Sequence, residues 1–109
     1  MGRIAVYKRK AIYEIALADM KAYIKKFPNF CMGLCNCIST AATKSGYTKS
    51  YTSAYDYMGS YYPEIWKHKP ESKVRSTYWF LRDVDGGAKR IKILENAIED
   101  CNLLIEKSV

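Results

Sequence analysis

The sequence predicts a small all-α domain: four main helices, with an aromatic-rich irregular crossover before the last. Three observations carry this. Apolar residues recur at steps of three and four in separate stretches of the chain. Pro28, Gly46, Pro63, Pro70 and the pair Gly86-Gly87 punctuate the chain between those stretches. The length of 109 residues, with 49% hydrophobic and 27% charged, suits one domain over residues 1–109, and no repeat, low-complexity tract or linker divides it.

The first helix is expected over Lys8 to Phe27. Ile12, Ile15, Ala16, Met20, Tyr23, Ile24 and Phe27 fall on one side of it. Lys21, Lys25 and Lys26 gather at its C-terminal end, where cations suit the helix dipole. Pro28 stops it. A second helix is expected from an N-cap at Asn29 to about Lys44, with Phe30, Leu34, Cys37, Ile38 and Ala41 facing inward. Small residues such as Gly33, Ala41 and Ala42 allow a neighbour to come close, and Gly46 is placed to close the helix in a left-handed turn.

YTKSYTSAYDYMGSYY is the least ordinary stretch. Tyr47, Tyr51, Tyr55, Met58 and Tyr62 share one side of a third helix. They can be a core face written in tyrosine. Buried hydroxyls need partners, so the row can also be a partly wet pocket wall or a subunit contact. PEIWKHKP follows as a short helical turn with Pro63 in its first position and Pro70 ending it. Residues 71–85 are expected to be irregular, with STYWFL able to form a brief strand. Asp85 is the expected N-cap of the last helix, which runs to about Lys107 and buries Ile91, Leu94, Ile98, Cys101 and Ile105.

The net charge is +7, unevenly spread. Residues 1–60 hold nine lysines and arginines against three acids, residues 61–92 hold eight against four, and residues 93–109 hold one against four. Such a field draws phosphates, nucleic acid or an acidic protein surface. No apolar run approaches the ~20 residues of a membrane helix. MGRIAVYKRK has neither the apolar core of a secretion signal nor the Ser/Thr of a myristoylation site, so a cytoplasmic protein without membrane contact is expected.

Catalysis finds little support. His68, the single histidine, sits in KHK with no acid immediately beside it in sequence. Glu64 and His68 at i, i+4 can mimic acid–base partners or be a surface pair. No G-x-S-x-G, Walker, Rossmann or HExxH pattern occurs. Cys31, Cys35, Cys37 and Cys101 follow C-x3-C-x-C with one distant member. That lacks paired C-x2-C knuckles and reads as buried thiols rather than a metal site. Neither metal nor cofactor is expected.

Binding chemistry concentrates in STYWFLRDVDGGAKRIKIL. If this stretch is extended, Tyr78 and Phe80 face one way while Trp79 and Leu81 face the other. Arg75 and Arg82 flank them, and Trp66 and His68 lie upstream among Lys67 and Lys69. Exposed rings interleaved with cations can stack a base and hold phosphates. Gly86 and Gly87 would let an anion approach the start of the last helix, with Lys89 and Arg90 one turn in. The plainer alternative is a capped helix after a glycine turn, with Trp66 and Trp79 as core plugs. The expected ligand-contacting set is Trp79, Tyr78 and Trp66 on the base, Arg75, Arg82, Lys89 and Arg90 on phosphate, with His68 alongside. Tyr51 and Tyr55 supply hydroxyls or pack against a second subunit.

The elements Gly33-Leu34-Cys35, Tyr62-Pro63-Glu64 and Tyr78-Trp79-Phe80, and Arg90 in the closing helix, together resemble a loose class of small phage-encoded proteins. The likeness covers roughly residues 27–105. Some phage proteins of this kind are non-enzymatic and counter bacterial immunity as sponges. They sequester nucleotide-derived signals in pockets of aromatics and cations, often between subunits. The resemblance implies that role here: a homo-oligomer in the host cytoplasm holding a nucleotide-like small-molecule anion. The alternative is a basic protein that binds a nucleic-acid backbone or a host protein surface.

Overall fold

The computed structural model describes residues 4–26, 33–46, 61–68 and 88–107. These form an all-helical arrangement: α1 (Val6–Lys26), α2 (Leu34–Lys44), α3 (Pro63–His68) and α4 (Ala88–Lys107). The central pieces are α1 and α4. Helix α2 packs on α1, and α3 packs on α4. The tyrosine row up to Met58 and the whole STYWFL stretch lie outside the described residues. No helix among the described residues is long and apolar enough to cross a membrane.

Helix α1 begins two residues before the expected Lys8, because the carbonyl of Ala5 already accepts from the amides of Lys8 and Arg9. Its buried face is Ile12, Tyr13, Ala16 and Met20, with Ile15 and Ile24 partly buried beside it. Each fully buried aliphatic side chain of this kind contributes about 1.5–3 kcal/mol. Tyr13 was not on the face read from the sequence. It is completely buried because its hydroxyl finds a partner more than fifty residues away.

The second helix departs from expectation at its start. Gly33 is extended (φ −64°, ψ 143°), so no continuous helix runs from Asn29 through it. Glycine inside a helix costs roughly 0.5–1 kcal/mol relative to alanine, and here it becomes the boundary instead. Leu34, Cys37, Ile38 and Ala41 are buried as expected, joined by Ala42. At the other end Gly46 adopts φ +86°, and its amide donates to the carbonyl of Thr43. This is the left-handed closure that its position foretold.

Helix α3 is the short turn expected after Pro63, with the carbonyl of Tyr62 accepting from the amides of Ile65 and Trp66. Tyr62 is core: its ring lies 6.1 Å from that of Tyr13, tilted by 56°.

Helix α4 ends at Lys107 as expected, but its buried face is rotated. Arg90, Ile93, Leu94, Ala97 and Cys101 are buried, while Ile91 and Ile98 are only partly covered. The reason is that α4 has two neighbours, α1 and α3, and buries an arc that faces both. Cys101 lies within electrostatic reach of Arg9 and Lys10 in the first half of α1. Arg90 reaches Cys37, whose thiol donates to the carbonyl of Ala16 farther along α1. Helix α4 therefore returns along α1 in the opposite direction.

Candidate functional site

Helix α3 is too short to hold itself in place, since isolated helices below ~12–15 residues are marginal in water. A buried polar cluster fixes it. Arg9 on α1 meets Glu64 on α3 through two parallel bonds, Nε to Oε1 at 2.8 Å and Nη2 to Oε2 at 2.6 Å. Its third nitrogen, Nη1, donates to the carbonyl of Ile4 at 2.7 Å. The hydroxyl of Tyr13 donates to Glu64 Oε1 at 2.8 Å. Planar two-point pairing of this sort is the strong form of an ion pair.

The charges respond accordingly. Burial works against the ionised form of Glu64, but the bonds from Arg9 and Tyr13 outweigh it and hold its carboxyl below the usual value. Burial pushes the Tyr13 hydroxyl strongly up, and the adjacent carboxylate adds to this. The bond to Glu64 raises Arg9. At neutral pH the cluster is one carboxylate, one guanidinium and one neutral phenol.

Next along α3, Lys67 and His68 turn toward α4. His68 Nε2 lies 2.7 Å from Asp100 Oδ2, and Lys67 Nζ lies 3.3 Å from the same oxygen. With a carboxylate opposite, the imidazole proton sits on Nε2. Beside this group is a cleft of about 240 Å³ between α3 and α4, lined by Pro63, Leu103, Leu104 and Lys107 together with Glu64, Lys67 and Asp100. Leu103 and Leu104 are exposed.

The residues expected to contact a ligand separate into three groups. Tyr51, Tyr55, Arg75, Tyr78, Trp79 and Arg82 lie outside the described residues. Trp66 is half-buried against the core, and His68 is half-buried on Asp100. Lys89 is exposed, but its neighbour Arg90 is 2% exposed and turned into the core near Cys37. The two adjacent cations thus do not share a face. Glu64 and His68 are not partners either, since each has its own counterpart on a different helix. Cys37 and Cys101 are buried free thiols, pushed up to about 12 chiefly by burial. No group of three or more potential metal ligands occurs among the described residues.

Sequence reasoning missed Asp100 and the Arg9–Tyr13–Glu64 cluster. Arg9 and Tyr13 stand at i, i+4 and so share a face of α1, which was a usable signal. Nothing local to Glu64 or Asp100 announces a partner on another helix. Comparison with protein-family models, with curated proteins and with solved structures finds no match for the chain.

Proposed function

We propose that the chain is a non-enzymatic binding protein that sequesters a nucleotide-derived signalling molecule, in the manner of phage proteins that counter bacterial immunity. One observation supports this above the others. On α1, α2 and α3 the exposed charges are Lys8, Lys21, Lys25, Lys26, Lys44 and Lys67 against Glu14 alone. On α4 the exposed Lys89, Lys92 and Lys107 are balanced by Glu95, Glu99 and Glu106. Lys44 meets Asp19 and Lys67 meets Asp100, and the excess of exposed lysine over exposed acid that remains on α1, α2 and α3 is suited to a multiply charged anion.

His68 and Asp100 have the geometry of a proton-transfer pair. Yet the described residues lining the adjacent cleft bring no serine, cysteine or threonine for that pair to activate. Exposed Tyr7, Leu103 and Leu104 offer apolar area for a second subunit, consistent with a homo-oligomer in the cytoplasm.

A second reading is a basic protein that binds a nucleic-acid backbone or a host protein. It is favoured by Lys8, Lys21 and Lys25, which stand on open helix surface. Salt separates the two. Backbone binding weakens steeply with ionic strength as counterions are released together, whereas a pocketed nucleotide depends less on salt and is selected by its base. The decisive experiment is to purify the protein from cells, denature it by heat and identify released small molecules by mass spectrometry. A released nucleotide supports sequestration. Its absence, together with salt-sensitive binding of any nucleic acid, supports the alternative.

A further inference from the structure

Helix α1 gives only part of its circumference to the core. Ile12, Tyr13, Ala16 and Met20 are buried where α1 packs with α2 and α4. On the remaining side Tyr7, Ala11, Glu14, Ala18, Lys21 and Lys25 are exposed. We propose that this exposed face binds the same face of a second copy of the chain, with the two α1 helices antiparallel and Glu14 of each paired with Lys21 of the other. The contact concerns how copies of the chain meet, and it stands whether or not the chain carries a nucleotide.

The exposed face follows a regular spacing. Residues 7, 11, 14, 18, 21 and 25 are separated by alternating steps of four and three. Such residues stay within one narrow stripe of a helix, and that alternation is the seam along which two helices interlock side chains. A face that serves only water is usually polar along its length. This one carries Tyr7, which is 62% exposed, and it is flanked by the half-buried Ile15 and Leu17.

Charge identifies the occupant. Glu14 is the one exposed acid on α1, and Lys21 stands two turns along the same stripe. A two-fold axis midway between them, at Leu17 and Ala18, sets Glu14 opposite Lys21 of the partner subunit, and by symmetry sets Lys21 opposite the partner's Glu14. Ala18 then lies at the crossing, where a small side chain lets the two backbones approach. Tyr7 comes within about a turn of Lys25 of the partner subunit, a spacing suited to a cation over a ring. The axis falls near the middle of Val6–Lys26, so the helices overlap along most of their length. A parallel pairing would oppose Glu14 to Glu14 and Lys21 to Lys21, so charge selects the antiparallel one. The groups are available for this. Lys21 and Lys25 enter no ion pair among the described residues. Glu14 has Lys10 of its own helix at 3.9 Å, the loosest of the described ion pairs, and a carboxylate accepts more than one donor.

The test is sedimentation equilibrium of the whole protein over a concentration series, with circular dichroism to show that each variant is folded. The parent should form dimers and nothing larger. Glu14→Lys and Lys21→Glu each oppose like charges across the axis twice, and each should weaken the dimer by about tenfold or more. The double variant Glu14→Lys/Lys21→Glu restores both pairs with reversed sign and should return to within about threefold of the parent. An equimolar mixture of the two single variants should form the mixed dimer, although neither pairs well with itself. Leu103→Ser, on the exposed side of α4, should change the association by less than about twofold. A parent that stays monomeric overturns the proposal. So does a dimer that survives both single exchanges, or one that the double variant fails to restore. Loss of the dimer in Leu103→Ser but not in Glu14→Lys would put the contact on α4 instead. Growth into larger species would point to α1 of one copy resting on the acidic outer side of α4 in the next, a contact that does not close on itself. No nucleotide enters these measurements, so sequestration stands or falls separately by the released-ligand experiment above.

Discussion

The two ends of α1 handle charge in opposite ways. Near its start, Arg9 is partly buried, paired at two points with the buried Glu64 and held by a third bond, and Lys67 and His68 nearby on α3 converge on one aspartate. Near its end, Lys21, Lys25 and Lys26 are exposed, and Lys44 meets Asp19 in an exposed pair. The same residue types thus act inside the fold in one place and on its surface in the other. Removing a partner at the first place strands a buried charge, whereas removing one at the second mostly returns side chains to water.

The largest effect should come from Arg9→Met. Breaking a buried pair by removing one partner costs about 3–5 kcal/mol, which chemical denaturation would measure. Should Arg9→Met cost no more than Lys44→Ala, the contrast between the two ends collapses. Tyr13→Phe removes one bond to Glu64 and keeps the ring against Tyr62, so about 1–3 kcal/mol should be lost.

Acidification sharpens the same contrast. The folded state holds the Glu64 carboxyl below its ordinary value of 4.5. Its contribution is therefore present above that value and is lost as pH falls through the lower folded one. A titration of stability from pH 7 downward should show this loss in the parent protein and much less of it in Glu64→Gln, whose stability is already reduced.

Gly46→Ala forces a Cβ into φ +86° with nothing within 4 Å of it, so strain acts without a clash. About 1–2 kcal/mol should be lost. Smallest of all is Lys44→Ala, where an exposed pair predicts a stability change of about 0–1 kcal/mol.

The helices were legible where burial is one-sided and local. Cys37, Ile38 and Ala41 follow the helical period, and Gly46 states its own backbone angle. Pro63 and the end of α4 at Lys107 were equally plain. The reading of α4 slipped by part of a turn, because a helix with two neighbours buries an arc that Ile91 and Ile98 only border. By its type and sequence neighbours alone, Arg90 reads as a surface cation. Its burial depends on how α4 lies against its neighbours and comes within electrostatic reach of Cys37, which no local pattern encodes. Glu64 and Asp100 were illegible for the same reason. Their partners lie 55 and 32 residues away, and a carboxylate looks the same in sequence whether it meets water or a guanidinium.

The thiol of Cys37 doubles as a clock. It is 1% exposed, bonded to the carbonyl of Ala16, and almost wholly protonated at neutral pH. An alkylating reagent can reach it only while α1 and α2 stand apart, so its labelling rate, resolved by peptide mass spectrometry, counts those separations. A molecule lodged between the two helices would slow the count even if it raised the melting temperature too little to notice.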